Sequence, residues 1–118
     1  MAYKIRNEFG VIGIESEVVA RIAGMAAMGC YGVVGMAAKS VRDGIVHLLR
    51  MENLTKGLRL SPVGNSLNIE LHIIAEYGTN IIAICESLMS TVKYKVELAC
   101  GLNIGQVDVF VEGLRVNG

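Results

Sequence analysis

The fold of this chain is constrained most by three patterns that follow one another between residues 66 and 112. Residues 66–76 alternate apolar and polar side chains, which is the period of a strand with one buried face. Residues 81–99 then carry apolar side chains three and four positions apart, as in an amphipathic helix of about five turns. The valine-rich residues 107–111 indicate another strand. Because a strand, a helix and a strand in this order form a crossover connection, the two strands are predicted to be parallel.

The first half of the chain predicts two more helices and two more strands. A strand is predicted over residues 10–14, and a helix over residues 16–28 follows it, with Ser16 as the N-terminal cap. The uninterrupted apolar run at residues 31–38 favours a strand that is covered on both faces. A helix is predicted over residues 41–51, where apolar and polar residues separate onto two sides.

Turn-forming residues mark the remaining boundaries. Residues 57–61 and 66–76 are predicted to form a hairpin, because Pro62 and a Gly-Asn pair lie between them. Thr79 is predicted to cap the long helix. Gly101 is predicted to end that helix in the left-handed conformation.

Together these elements predict an α+β fold, a two-layer sandwich in which a mixed sheet of four or five strands packs against two or three helices. The whole chain, residues 1–118, is expected to form one domain. Its 118 residues, with 53% hydrophobic and 19% charged side chains, suit one buried core. A single proline and the lack of a low-complexity stretch argue against disorder.

Charge and composition exclude several classes of function. Eleven basic residues are interspersed with eleven acidic ones, so no basic face is predicted for nucleic acid or for anionic lipid. The N-terminus lacks the apolar run of a signal peptide, and the uncharged stretch at residues 22–38 is broken by four glycines. The protein is therefore expected to be cytoplasmic, without direct membrane insertion. Cys30, Cys85 and Cys100 have no zinc-ligand spacing and are expected to be reduced thiols.

Three glycines at a spacing of three, Gly29, Gly32 and Gly35, are predicted to permit turns and close packing. A phosphate-binding loop needs a lysine after its last glycine, and Met36 stands there. The Gly-x-x-Gly units also differ from the nucleic-acid clamp of KH domains, because their fillers include no lysine or arginine. This segment therefore predicts no cofactor site, while an RNA-binding module stays as an alternative function of the chain.

Glu70, His72 and Asp108 are the strongest candidates for chemistry. They meet if their strands are neighbours, and would then form a metal or acid–base site; the competing interpretation is a hydrated sheet face. His47 is placed on the outer face of a predicted helix, and Cys85 falls on an apolar helix stripe, where inert thiols are usual. We predict no catalytic, cofactor-binding or metal site, and no enzymatic activity.

The apolar excess of a small domain predicts self-association. Tyr31, Val33, Val34 and Met36 compete for one core, and Met36 is one of six methionines in the chain. Because some of them should remain outside the core, these four residues are predicted to form an interaction surface. An exposed strand edge offers a second route, by main-chain pairing into a two-fold dimer or a head-to-tail array. The alternative is that all of these residues are ordinary core.

Five motifs occur in order along nearly the whole chain. They are residues 10–16 with the helix that follows from Glu17, Tyr31-Gly32-Val33-Val34-Gly35-Met36, Lys56-Gly57-Leu58-Arg59-Leu60, Glu76-Tyr77-Gly78-Thr79-Asn80-Ile81, and Val92-Lys93 through Gly101-Leu102 to Val107-Asp108-Val109-Phe110-Val111. By these motifs the chain resembles the alkaline shock protein family, the envelope stress response proteins of Gram-positive bacteria.

The resemblance implies a cytoplasmic, non-enzymatic scaffold or adaptor in cell-envelope homeostasis or envelope stress response. Such a protein acts through protein–protein contacts and is held near the membrane by a partner. Because the chain lacks charged low-complexity tails, it resembles the short stand-alone type, often encoded beside a dihydroxyacetone-kinase-like fatty acid kinase. One alternative is therefore a regulatory accessory to such a kinase in lipid metabolism, and a second is an RNA-binding module. The family offers no catalytic residues to carry over.

Overall fold

The computed structural model describes residues 2–39, 46–48 and 55–116. Within these ranges the chain forms seven strands and two helices. Their order is β1 (Ala2–Asn7), β2 (Gly10–Glu15), α1 (Ser16–Met28), β3 (Val33–Lys39), β4 (Val46–Leu48), β5 (Leu58–Val63), β6 (Ser66–Glu76), α2 (Ile81–Cys100) and β7 (Ile104–Arg115).

β6 is the centre of the main sheet. β5 and β3 pair antiparallel with successive segments of one of its edges, and β7 pairs parallel with its other edge. β4 pairs with β3 and completes the five strands. β6, α2 and β7 thus form the parallel connection predicted from the sequence, and the two strands are direct neighbours.

A second, two-stranded sheet precedes α1, because β1 and β2 form an antiparallel hairpin. The sequence predictions include only β2. The signal for β1 is the alternation of Tyr3 and Ile5 with Lys4 and Arg6, which is too short to stand out from a polar terminus. The predicted α+β fold class, with a mixed sheet packed against helices, is confirmed.

The helix predicted over residues 41–51 is wrong for residues 46–48, which form β4 against residues 37–39 of β3. A segment this short fits either period, and the edge of β3 offers main-chain partners that a helix does not use. His47, placed on a helix face by that prediction, therefore lies in a strand. The other residues of the predicted helix lie outside the described ranges.

The helix ends agree with the predictions in part. α1 begins at Ser16, but Glu15 occupies the cap position and no side chain caps the helix. α2 is capped by Asn80, whose side chain accepts a hydrogen bond of 3.1 Å from a main-chain N–H of the first turn, and not by Thr79. Gly101 ends α2 with φ +68°, as predicted. Neither of these two described helices is long and apolar enough to cross a membrane.

The hydrophobic core lies between the main sheet and the two helices. β6 contributes one face, and α1 and α2 contribute the stripes that face it. Fully buried residues of this core include Val19, Ala23, Ala27, Met36, Ile69, Leu71, Ile73, Leu88, Val92 and Val96. Burying one large aliphatic side chain stabilises the fold by about 1.5–3 kcal/mol. This core therefore keeps the strands and helices, and the surface residues that they carry, in fixed positions.

Candidate functional site

The segment between α1 and β3 is held against α2 at Gly32. Its φ of +82° lies in the left-handed region, which glycine adopts without strain. A Cβ atom at this position would overlap the side chain of Ile84. The Gly32 carbonyl also accepts a hydrogen bond of 2.8 Å from the N–H of Glu76. The turn-and-packing role predicted for this glycine is confirmed.

The four residues predicted to form an interaction surface separate into two groups. Tyr31 is 81% exposed, and Val33 and Val34 are half-buried beside it. Met36 has 0% exposure and lies in the core, so its assignment to a surface is wrong. Because side chains alternate between the faces of a strand, Met36 lies on the same inner face as its register partner Ile73.

Tyr31 borders a groove at the start of α2. The groove has a volume of about 160 Å³ and is lined by Tyr31, Asn80, Ala83, Ile84 and Ser87. Among these described lining residues are an aromatic ring, two apolar side chains and two neutral polar groups, and no charge. Aromatic residues are enriched at protein contacts, whereas charged residues are depleted at their centres. We call Tyr31 and this groove the Tyr31 surface, and take it as the candidate contact site.

Glu70, His72 and Asp108 lie close together on the outer face of the main sheet. β6 and β7 are parallel neighbours, and Glu70 is in register with Asp108. His72 Nε2 lies 2.9 Å from Glu70 Oε2, and the imidazole stacks on the Phe110 ring at a centroid distance of 5.2 Å. His72 Nδ1 lies 3.7 Å from Glu112 Oε2.

The polar contacts of this cluster join His72 to Glu70 and Glu112. Both ring nitrogens of His72 face carboxylates, and a neutral imidazole can donate to only one of them; the contact with Glu70 is the one at hydrogen-bond distance. In the part of the chain that the structure describes, no three His, Cys, Asp or Glu side chains are arranged to hold a metal ion. Glu112 is absent from the candidates predicted by sequence, although it follows Phe110 at the spacing of a shared strand face.

The three cysteines are free thiols. Cys30 Sγ donates a hydrogen bond of 3.5 Å to the carbonyl of Ala26. Burial raises the pKa of the Cys85 thiol and that of the Cys100 thiol above the ordinary value of 9.0. Because the thiolate is the nucleophilic form, these two thiols are less reactive at neutral pH than an exposed cysteine.

The chain thus combines a small α+β fold, an exposed aromatic residue at a groove by the start of α2, and a polar outer face of the main sheet. The sequence model of the alkaline shock protein 23 family matches residues 4–116, so the chain belongs to this family. The family is described as having a cell envelope-related function. The resemblance to alkaline shock proteins that the sequence motifs predict is thereby confirmed. The family gives the protein a role related to the cell envelope.

Two relatives agree with this membership, and a solved structure shares the fold. The chain is 39% identical over 117 residues to the uncharacterized protein YloU of Bacillus subtilis, covering 98% of each chain. It is 32% identical over 119 residues to the uncharacterized protein Spy1614 of Streptococcus pyogenes serotype M6, covering 100% of this chain and 98% of that one. The copper form of the MamM CTD superposes with a TM-score of 0.51 at 16% identity, over 87% of this chain and 90% of that chain. At this identity the likeness shows the fold alone.

Proposed function

We propose that this protein is a non-enzymatic scaffold or adaptor in cell-envelope homeostasis or envelope stress response, acting through protein–protein contacts. The observation that carries the proposal is Tyr31, an aromatic side chain that is 81% exposed next to the packed Gly32. A central aromatic residue often contributes about 2 kcal/mol or more to an interface. Because Gly32 fixes the segment against α2, Tyr31 binds a partner without the entropy cost of ordering a loop.

The polar sheet face supports a contact role over catalysis. A general base acts on a nucleophile within hydrogen-bond reach. The described hydrogen bonds and ion pairs of His72 join it to the carboxylates of Glu70 and Glu112, and not to a nucleophile. The raised pKa values of Cys85 and Cys100 disfavour a thiolate mechanism as well. We therefore propose that the protein has no enzymatic activity of its own.

The proposed partners are a second copy of the chain and a membrane-anchored protein, which holds the scaffold close to the membrane from the cytoplasmic side. The described lining of the Tyr31 surface carries no charge. An apolar, neutral segment of the membrane-anchored partner therefore fits it better than an acidic or basic one, because burying an unpaired charge there is unfavourable.

Affinity purification from native cells tests this proposal. Tyr31→Ala is compared with the wild type and with Tyr94→Ala, a matched control that removes another tyrosine, 64% exposed on α2. We expect Tyr31→Ala to lose envelope proteins that the wild type and Tyr94→Ala retain. Identical partners for all three proteins would contradict the proposal. A dihydroxyacetone-kinase-like fatty acid kinase as the partner lost with Tyr31 would favour the role of regulatory accessory instead.

A further inference from the structure

β7 is a long strand with one strand neighbour in the part of the chain that the structure describes. Nine of its twelve residues have register partners in β6 along one edge, and no described strand pairs with the other edge. Main-chain N–H and C=O groups on such an edge can pair with a further strand. We propose that a second copy of this chain adds its own β7 here as an antiparallel neighbour, around a two-fold axis at Val109.

The other outer strands of the main sheet are less suited to this pairing. β4 has three residues, and β5 contains Pro62, which has no main-chain N–H to donate. Residues 107–111 of β7 read Val-Asp-Val-Phe-Val, and β-branched and aromatic residues favour strand pairing. This segment contains no proline or lysine, which are the residues that commonly protect a strand edge. Among the described outer strands of the main sheet, β7 therefore offers the edge with the fewest protecting residues.

Two irregularities limit the pairing segment to residues 107–111. The register between β6 and β7 shifts at both ends of this segment, so that β7 carries an extra residue before Val107 and another after Val111. Such bulges bend and twist a strand, whereas the residues between them keep a regular alternation. A two-fold antiparallel pair centred on Val109 uses the regular segment from end to end.

Charge selects this register from its nearest alternatives. Centred on Val109, the pair places Asp108 opposite Phe110 of the second copy. A centre at Asp108 would place the two Asp108 carboxylates opposite each other, and a centre at Phe110 would place Asp108 opposite Glu112. Like charges directly opposite each other destabilise a strand pair. The segment is thus complementary to itself in the register at Val109.

The second copy also extends the apolar layer on the helix side of the sheet. Val109 and Val111 of β7 and Met89 of α2 pack against the core but remain partly exposed. In the two-fold arrangement they lie on the same side of the joined sheet as their counterparts, because opposite residues of a strand pair share a face. On the outer face, Phe110, which is 45% exposed, gains a neighbour across the new edge.

Five paired residues per strand form about four to six main-chain hydrogen bonds. This is a small interface, and small interfaces belong to weak, transient complexes. We therefore expect a dimer that dissociates on dilution into the micromolar range. The inference deepens the proposed scaffold role, because a dimer carries two Tyr31 surfaces and binds a clustered partner more tightly. The pairing of β7 does not depend on the proposed scaffold role; only the use of the dimer in the cell rests on that role.

Sedimentation velocity of the full chain, from low to high micromolar concentration, tests the pairing. In the dimer, Phe110→Glu places the new carboxylate of each copy opposite Asp108 of the other copy. We expect this repulsion to raise the dimer dissociation constant about tenfold. Adding Asp108→Lys to Phe110→Glu restores opposite charges at both positions and is expected to recover the dimer. Tyr94→Glu is the matched control, since it also replaces an exposed aromatic side chain by glutamate, and it should leave the dimer unchanged.

Thermal unfolding of each variant separates lost pairing from lost folding. If Phe110→Glu unfolds, hydrogen exchange of the wild type replaces it as the test, and the amides of residues 107–111 should exchange more slowly as the concentration rises. A wild-type monomer at high micromolar concentration would overturn the pairing. So would a folded Phe110→Glu dimer of unchanged affinity, a double variant that does not recover, or a dimer abolished by Val34→Glu. A monomer that still co-purifies its partners through Tyr31 would overturn the pairing and leave the scaffold role standing.

Discussion

The Gly32 backbone lies so close to Ile84 that a Cβ atom on Gly32 would overlap the Ile84 side chain. We expect Gly32→Ala to lower the free energy of unfolding by about 2–5 kcal/mol, the sum of two costs. A left-handed conformation costs an L-residue about 1–2 kcal/mol, and overpacking costs about 1–3 kcal/mol. Denaturant unfolding followed by circular dichroism measures the loss.

Gly64→Ala is the matched control for this substitution. Gly64 also has a positive φ, +59°, but no atom lies within 4 Å of the place where its Cβ would stand. Only the backbone cost, about 1–2 kcal/mol, is therefore expected. In a double-mutant cycle, Ile84→Ala should make Gly32→Ala less costly, because the overlapping atoms are gone. Equal losses at the two glycines would show that contact with Ile84 contributes nothing.

The start of α2 depends on Asn80. Its Oδ1 accepts a hydrogen bond of 3.1 Å from the N–H of Ala83, so Asn80→Ala should lower the free energy of unfolding by about 1 kcal/mol. Ser16→Ala is the comparison at the start of α1, where no side chain caps the helix, and its effect should stay within about 0.5 kcal/mol. If Ser16→Ala proved as costly as Asn80→Ala, the serine would cap α1 after all. Urea titration of both variants measures the two effects.

Alkaline pH should destabilise the fold through the thiols of Cys85, which is half-buried, and Cys100, which is buried. Burial raises the pKa of Cys85 and Cys100 above 9.0, so the folded chain keeps these protons at pH values where the unfolded chain has released them. Their contribution to stability is complete below the unfolded pKa and is lost as the pH rises through the folded pKa. Unfolding titrations on both sides of pH 9.0 measure the loss.

A chain with both Cys85→Ala and Cys100→Ala is the control for this pH dependence. It should lose less stability over the same interval. The raised pKa of Tyr3, also caused by burial, leaves a residual dependence in that variant. If the free energy of unfolding depended on pH as steeply in this variant as in the wild type, the two thiols would contribute nothing to the pH dependence.

Affinity for RNA should be weak or absent. Eleven basic residues are balanced by eleven acidic ones, so little counterion release is available to drive binding. Titration of labelled single-stranded RNA at low salt is the measurement. Submicromolar binding that falls steeply with added salt would instead support the RNA-binding alternative.

Long segments whose apolar residues keep a single period can be predicted from this sequence. β6 alternates over eleven residues and α2 keeps one stripe over twenty, so neither is confused with another type of element. Their order then makes β7 parallel to β6, because crossover connections join parallel strands. Gly101 is also predictable as the end of α2, since glycine is favoured in the left-handed position after a helix.

Features set by non-local contacts cannot be predicted in the same way. Residues 46–48 form a strand because β3 lies beside them, and Met36 is buried because its face of β3 meets the helices. Both lie in short segments whose local pattern does not decide between a helix and a strand. Glu112 reaches His72 from a bulge, where the register between β6 and β7 shifts. No local pattern of residues marks that bulge, and the candidate cluster is therefore incomplete when derived from sequence.

Complementation of cells that lack this chain tests whether the protein works through the Tyr31 surface or through chemistry on the sheet face. One variant carries Tyr31→Ala, and the other carries Glu70→Ala with His72→Ala; both are checked for folding by thermal unfolding and for equal abundance. The readout is growth under cell-wall stress. A scaffold that works through the Tyr31 surface predicts that Tyr31→Ala fails to restore growth and that the variant lacking Glu70 and His72 restores it. Restoration by Tyr31→Ala together with failure of the other variant would contradict the scaffold and point to chemistry on the sheet face.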